Sequence, residues 1–177
     1  MEVRRRDVAH DEPPEDGFDL VHARLVLVHV PDRDEAIRRM AASLRPGGHL
    51  LIEDFDVALQ PLACPAADGP DQELANRIRA GFVALLAQRG VDLEYGRKLP
   101  GLLRALGLAD VAADAYFPVA LAAGAALYTA NVTQVRDGLM AQGHATDEEI
   151  EGHLAALAEE GRLDVAVPPL VSAWGRR

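Results

Sequence analysis

The 177-residue chain has a single cysteine, Cys64, so no disulfide can close within it and a reducing compartment is expected. It has a single lysine, Lys98; its other basic side chains are arginine. Acidic residues outnumber basic ones 28 to 18, and the net charge is −10. That balance argues against nucleic acid or an anionic membrane as partner, because both need basic patches. The run Arg4-Arg5-Arg6 is too short to change this and reads as a solvated strand edge or turn. A secretory leader is not indicated, since residues 2–7 are mostly charged. The longest weakly polar run, about residues 117–128, falls short of the ~20 residues that cross a bilayer. These absences together predict a soluble cytosolic protein. The six histidines form neither H-x-H nor H-x-x-x-H, and Cys64 has no cysteine partner, so no metal site is expected. Ser43 and Ser172 lack a nucleophile-elbow motif, which leaves serine-hydrolase chemistry without support.

What remains is a chain that is 49% hydrophobic, enough for a real core, and of a length that suits one domain. Residues 2–8 alternate weakly and predict a short strand. The polar, Pro-rich stretch "HDEPPEDG" then leads to Gly17. "FDLVHA" (18–23) is apolar enough for a buried strand. "RLVLVHVP" alternates like a strand, yet one strand over 18–30 would be long. Residues 34–44 carry Ile37, Met40, Ala41 and Leu44 at helical spacing, with Arg38, Arg39 and Arg45 outward. Asp32 and Glu35 are spaced as a capping box. Pro46-Gly47-Gly48 predicts a turn, and "HLLIEDF" (49–55) the next strand. Strand, helix and strand this close make a βαβ unit with parallel strands. Further along, helices are predicted over 71–88, 97–106, 122–142 and 146–160. The last opens on a second capping box, Thr146 with Glu149. Strands are predicted over 111–119 and within 163–174. No internal repeat or low-complexity tract is present.

In order and spacing, "VRRRDV" (3–8), "FDLVHAR" (18–24), "LRPGGHLLIEDF" (44–55) and "PPLVSAWGRR" (168–177) resemble the third, fourth, fifth and seventh strands of a class I S-adenosylmethionine-dependent methyltransferase, of the branch that methylates small metabolites. The resemblance covers nearly the whole chain. It implies a partial Rossmann-like α/β three-layer sandwich with a mostly parallel sheet. It implies one incomplete domain over 1–177, with helical lid or insertion segments at about 57–106 and 120–162. It also assigns "LVLVHV" to a helical turn at the pocket floor. The family's first strand, Gly-rich loop and second strand have no counterpart, and no G-x-G-x-G occurs anywhere. In that family the first strand lies beside the fourth. Without it, one edge of "FDLVHA" is bare and prone to pairing. Three outcomes are open: "VRRRDV" pairs along the vacant edge, a second copy of the chain does, or the sequence is a piece of a longer one.

Ligands of open parallel sheets sit beyond the carboxyl ends of the strands. The resemblance therefore places Asp7, Val8, His22, Ala23 and Arg24 on the cofactor side, with Asp7 toward the adenine and Arg24 toward the methionine carboxylate. The bland readings are a turn aspartate and a surface arginine. His29 is a candidate base, or a histidine packed at the end of a turn. Glu53, Asp54 and Asp56 form a carboxylate cluster that could remove or orient an acceptor proton, or cap the next turn. Tyr128, Asn131 and Gln134, spaced by three, predict one helix face toward an acceptor, or a partly polar surface face. The function implied is methyl transfer from S-adenosylmethionine to a small-molecule acceptor, impaired here because the Gly-rich loop is absent. The alternative is a non-catalytic, dimeric or partner-binding scaffold that uses the bare strand edge.

Overall fold

A computed structural model describes residues 3–11, 17–66, 68–119 and 122–177, the side chains of 122–125 excepted. Residue 2 of the expected first strand and residues 12–16 of the Pro-rich connection lie outside that set. Two apolar runs open the sheet; the first, "FDLVHA", lies at its edge with Ala23 alone buried, and is not the buried strand its composition predicts. Strand β1 (Phe18–Arg24) lies parallel to β2 (Leu44–Phe55), and helix α1 (Arg33–Ala42) is the crossover between them. The helix forms because Ala36, Ile37 and Ala41 bury one face while Arg38 stays exposed. Strand β4 (Leu170–Arg176) pairs with the other edge of β2, antiparallel, and β3 (Ala109–Tyr116) follows it. The sheet order is β1-β2-β4-β3. Helix α3 (Tyr95–Ala105) buries Tyr95, Leu99 and Leu103 and packs on β2 and β4. The Arg33 guanidinium lies 5.5 Å from the center of the Tyr95 ring, which ties the start of α1 to the start of α3.

This sheet unit comprises Met1–Phe55, Tyr95–Ala115 and Leu170–Arg177. It is the partial Rossmann-like α/β arrangement that the sequence implies, with one parallel and one antiparallel pairing at its center. The run after β1 is not a continued strand. Leu27–His29 form a 3-10 turn, as the resemblance predicts.

Three local expectations are corrected. Residues 3–7 form no strand, and Val8–His10 turn, so "VRRRDV" does not pair along the vacant edge of β1. The Asp7 carboxylate explains the turn: it accepts from the Ala9 N–H at 2.9 Å and closes the chain on itself. Second, Pro46-Gly47-Gly48 is not a turn before a strand but a bulge inside β2. Phe18 pairs with Leu44 and Leu20 with His49, so the extra residues are absorbed there. Gly47 supplies φ +83°, and a methyl on Gly48 would lie 2.7 Å from the Phe18 carbonyl oxygen. Third, Asp32 and Glu35 make no capping box. The Asp32 carboxylate lies 3.4 Å from His10 Nε2, and Glu35 accepts from Arg38 and Arg39.

The second unit comprises Asp56–Glu94 and Tyr116–Pro169. Its helices are α2 (Pro70–Gln88), α4 (Ala122–Ala141) and α5 (Asp147–Ala158). Ile78 and Leu85 of α2, Val132 and Leu139 of α4 and Ile150 of α5 form one core cluster. Thr146 and Glu149 form the predicted capping box, with N–H to side-chain distances of 3.2 and 2.8 Å. Helix α2 approaches the end of α4 through Gly81. A methyl there would lie 2.6 Å from the His144 ring and 2.7 Å from a Leu139 methyl. Gly81→Ala is therefore expected to destabilize the fold by about 1–3 kcal/mol through overpacking, despite the better helix propensity of alanine. Urea denaturation measures this; an unchanged or raised midpoint would contradict the packing.

Candidate functional site

The register of the sheet decides which polar groups meet. Arg24 of β1 stands opposite Glu53 of β2, and Glu53 opposite Ser172 of β4. Side chains of one row share a face, so the three form a line across the carboxyl ends of β1 and β2. The Ser172 hydroxyl donates to Glu53 Oε1 at 2.8 Å. His22, two residues before Arg24 on the same face, places Nε2 2.7 Å from Glu53 Oε2, and Arg24 Nη1 lies 3.8 Å from that oxygen. Partial burial pushes the Glu53 carboxyl up. The bonds from Ser172 and His22, with the charge of Arg24, outweigh it and hold the group below the usual carboxylate range.

Asp54 is adjacent in sequence and opposite in space. Strand period two turns it to the face of Leu50 and Ile52, where all three are fully buried. Its carboxylate accepts from the Val28 N–H at 3.1 Å and from the Phe55 N–H at 3.1 Å. It thereby anchors the turn Leu27–His29 to β2. Burial pushes the Asp54 carboxyl above the usual range, against these two bonds. His29, at the end of that turn, is exposed. The junction before the turn is strained: Leu25 takes φ +56°, uncommon for a residue with a side chain, while its N–H donates to the Glu53 carbonyl at 2.9 Å.

The other expected residues lie apart from this row. Asp7 is exposed, and Ala9 and then His10 hold its carboxyl below the usual range. Asp7 and Val8 line a cavity of about 300 Å³ together with Phe18, Leu20, Val21 and Met40, beside the outer edge of β1. Ala23 is buried. The Asp56 carboxylate accepts from the Leu59 N–H at 3.1 Å and caps the turn Val57–Leu59. Glu53, Asp54 and Asp56 thus form no shared carboxylate site. In the helical unit Tyr128 is buried along the stripe of Val132, Val135 and Leu139, and its hydroxyl donates to the Ala75 carbonyl at 3.1 Å. Asn131 is half-buried and Gln134 exposed, so the three do not share one environment. Among the described residues no group of three or more His, Cys, Asp or Glu side chains is placed to hold a metal, and no helix is long and apolar enough to cross a membrane. Sequence reasoning missed Ser172, whose only signal was its place mid-strand. It also missed that Arg79 of α2 and His153 of α5 are buried, although each falls at helical spacing from apolar neighbors.

A sheet with a parallel β1–β2 pair, polar groups gathered beyond its carboxyl ends and an antiparallel strand beside them is a specific frame to compare. A family model described as "Methyltransferase domain" matches residues 2–113, well over half of the chain. The chain belongs to the methyltransferase-domain family. Methyltransferase GfsG of Streptomyces halstedii is 34% identical over 102 residues, 58% of this chain and 32% of that protein. Methyltransferase str2 of Strobilurus tenacellus is 39% identical over 93 residues, 50% of this chain and 30% of that protein. The chain therefore spans about a third of the length of these curated relatives. Among solved structures, the phosphoethanolamine N-methyltransferase 2 of Haemonchus contortus, in complex with phosphomonomethylethanolamine and S-adenosylhomocysteine, aligns with a TM-score of 0.54 at 16% identity, covering 97% of this chain and 36% of that one. A protein described as a methyltransferase of an antibiotic biosynthesis pathway in Anabaena variabilis aligns at 0.56 and 17% identity, covering 95% and 70%. At these identities the likeness is one of fold.

Within this methyltransferase-domain chain, Asp54 and Glu53 predict opposite pH behavior. The lowered carboxyl of Glu53 contributes stability present above the ordinary carboxylate value and lost as pH falls through its folded value. The raised carboxyl of Asp54 contributes stability present below the ordinary value and lost as pH rises through its folded value. Asp54→Asn keeps an acceptor for Val28 and removes that loss, so the variant gains on the wild type as pH rises above the ordinary carboxylate range. Asp54→Ala orphans the buried Val28 N–H and costs about 1–3 kcal/mol. Urea midpoints followed across a pH series measure each effect; a difference between Asn variant and wild type that ignores pH would contradict the buried ionization.

Proposed function

We propose that this chain is the acceptor-side portion of a small-molecule methyltransferase, whose intact domain uses S-adenosylmethionine. The observation that carries the reading is the row of Arg24, Glu53 and Ser172, with His22, at the carboxyl ends of β1 and β2. A methyltransferase-domain sheet places its chemistry at that end. The family match and the relatives named methyltransferases support the reaction class.

The described residues do not fit the cofactor by themselves. The Asp7 carboxylate is closed into its own turn, and His22 and Arg24 are directed to Glu53. The sequence also contains no G-x-G-x-G loop whose backbone approaches a cofactor closely. No step through the cofactor follows from these residues. What they do is position. Glu53 fixes the two cationic or polar side chains of β1. Asp54 fixes the turn that presents His29. In this reading His29 is the group that accepts an acceptor's proton, while alignment of the acceptor supplies most of the rate. Calorimetric titration of the purified 177-residue chain with S-adenosylmethionine tests the incomplete fit. The expected result is no binding in the micromolar range; a micromolar dissociation constant would overturn it.

A second reading, a dimeric or partner-binding scaffold, is favored by the outer edge of β1. Among the described residues no strand pairs with it, and Phe18 and Leu20 are 36% and 56% exposed. An exposed apolar strand edge is a template for another chain. Light scattering distinguishes the outcomes: a discrete homodimer supports the scaffold, whereas a monomer that remains monomeric on concentration rejects it.

A further inference from the structure

The helical unit buries a cation that no carboxylate among the described residues pairs with. Arg79 of α2 is 2% exposed, and His153 of α5 is 1% exposed. Neither Nε nor Nη2 of Arg79 has a hydrogen-bond partner among the described residues, and the same holds for both ring nitrogens of His153. Tyr128 of α4 joins the two. Its ring meets the His153 ring edge-on, with centers 5.6 Å apart, and its hydroxyl reaches the Ala75 carbonyl, one helical turn before Arg79 on α2. That hydroxyl donates to the Ala75 carbonyl, so toward Arg79 it offers only lone pairs. The carboxylate whose charge reaches His153 is Asp71, and Asp71 is already bonded to Arg162 at 2.8 Å. Hence no described carboxylate neutralizes Arg79.

Buried guanidinium groups persist in proteins when they are paired, because an isolated buried charge is very costly. The guanidinium does not escape by losing its proton. Its planar fork matches the two oxygens of a carboxylate or of a phosphate group. His153 adds a second donor. Burial pushes its imidazole down to about 4, so it is neutral near pH 7, with one N–H to give and one nitrogen to accept.

We propose that Arg79, His153 and Tyr128, brought together by α2, α5 and α4, form a binding site for the oxyanion group of a small organic acid, either a carboxylate or a phosphate monoester. The site lies within the helical unit and stands whether or not the chain transfers methyl groups. Arg79 binds two oxygens through Nε and Nη2, His153 donates to a third or shares one, and Tyr128 packs behind the pair. Without the oxyanion the guanidinium weakens the fold, so occupancy stabilizes the chain.

The test is the melting temperature of the full chain in sodium chloride, sodium phosphate and sodium malonate at matched ionic strength. The expected result is a rise of several degrees that saturates with phosphate or with malonate and not with chloride. The stronger anion identifies the class. Arg79→Met is expected to melt at or above the wild type in chloride, since it removes an unpaired buried charge, and to lose the anion-dependent rise. His153→Leu is expected to weaken anion binding about tenfold, the loss of one buried hydrogen bond. Equal melting of the wild type in all three salts overturns the proposal, as does an Arg79→Met variant that keeps the full anion response. Should that variant not fold, nuclear magnetic resonance of the His153 ring nitrogens in the wild type replaces it. Shifts that saturate with phosphate or malonate support the site, and ring signals blind to both anions overturn it.

Discussion

The two-residue period of β2 is the constraint on which the rest depends. One strand delivers Glu53 to one face and Asp54 to the other, so two adjacent carboxyl groups enter different media. Glu53 meets Ser172, His22 and Arg24 and stays ionized with ease. Asp54 enters the core with Leu50 and Ile52 and is held there by the Val28 N–H. That one buried bond turns the chain after β1 and presents His29 at the strand ends. A single carboxylate thus couples the sheet core to the edge of the candidate site.

The parallel pairing of β1 on β2 sets a second condition. Pairing through a bulge at Pro46-Gly47-Gly48 lets the amino end of β1 sit close, with Gly48 allowing the Phe18 carbonyl to approach. It also leaves the other edge of β1 with no strand beside it among the described residues. Residues 6–8 come near that edge and line a cavity with it, yet they do not extend the sheet. Their short turn is satisfied locally by Asp7, and a locally satisfied backbone has little to gain from a ladder.

The helical unit works by different rules. Its core is apolar helix packing, closed at Gly81 and capped at Thr146, but it carries Arg79 and His153 inside. Replacing such groups by apolar ones commonly leaves stability equal or higher. Their presence is therefore explained by what they bind better than by what they stabilize.

The sequence by itself determined most of the elements, the strand expected from "VRRRDV" excepted. Hydrophobic spacing located α1, α2, α4 and α5, β-branched runs located β1 and most of β2, and the order of "FDLVHAR", "LRPGG" and "LVSAWG" carried the methyltransferase-domain family. Local rules failed where a competitor was non-local. Asp32 left its cap for His10, and the Pro-Gly-Gly turn became a bulge because β1 and the chain end pair along it. Only the tertiary structure decided which polar residues meet. Glu53, Asp54 and Asp56 read as a cluster along the chain and are separated by strand geometry and by a turn. Ser172 joins Glu53 from 119 residues away. Arg79 and His153 were placed inward by helix period and yet overlooked, because charge normally overrides period at the surface. The physical reason is that periodicity fixes the direction a side chain takes from its own backbone, while its partner is set by register and packing between segments distant in sequence.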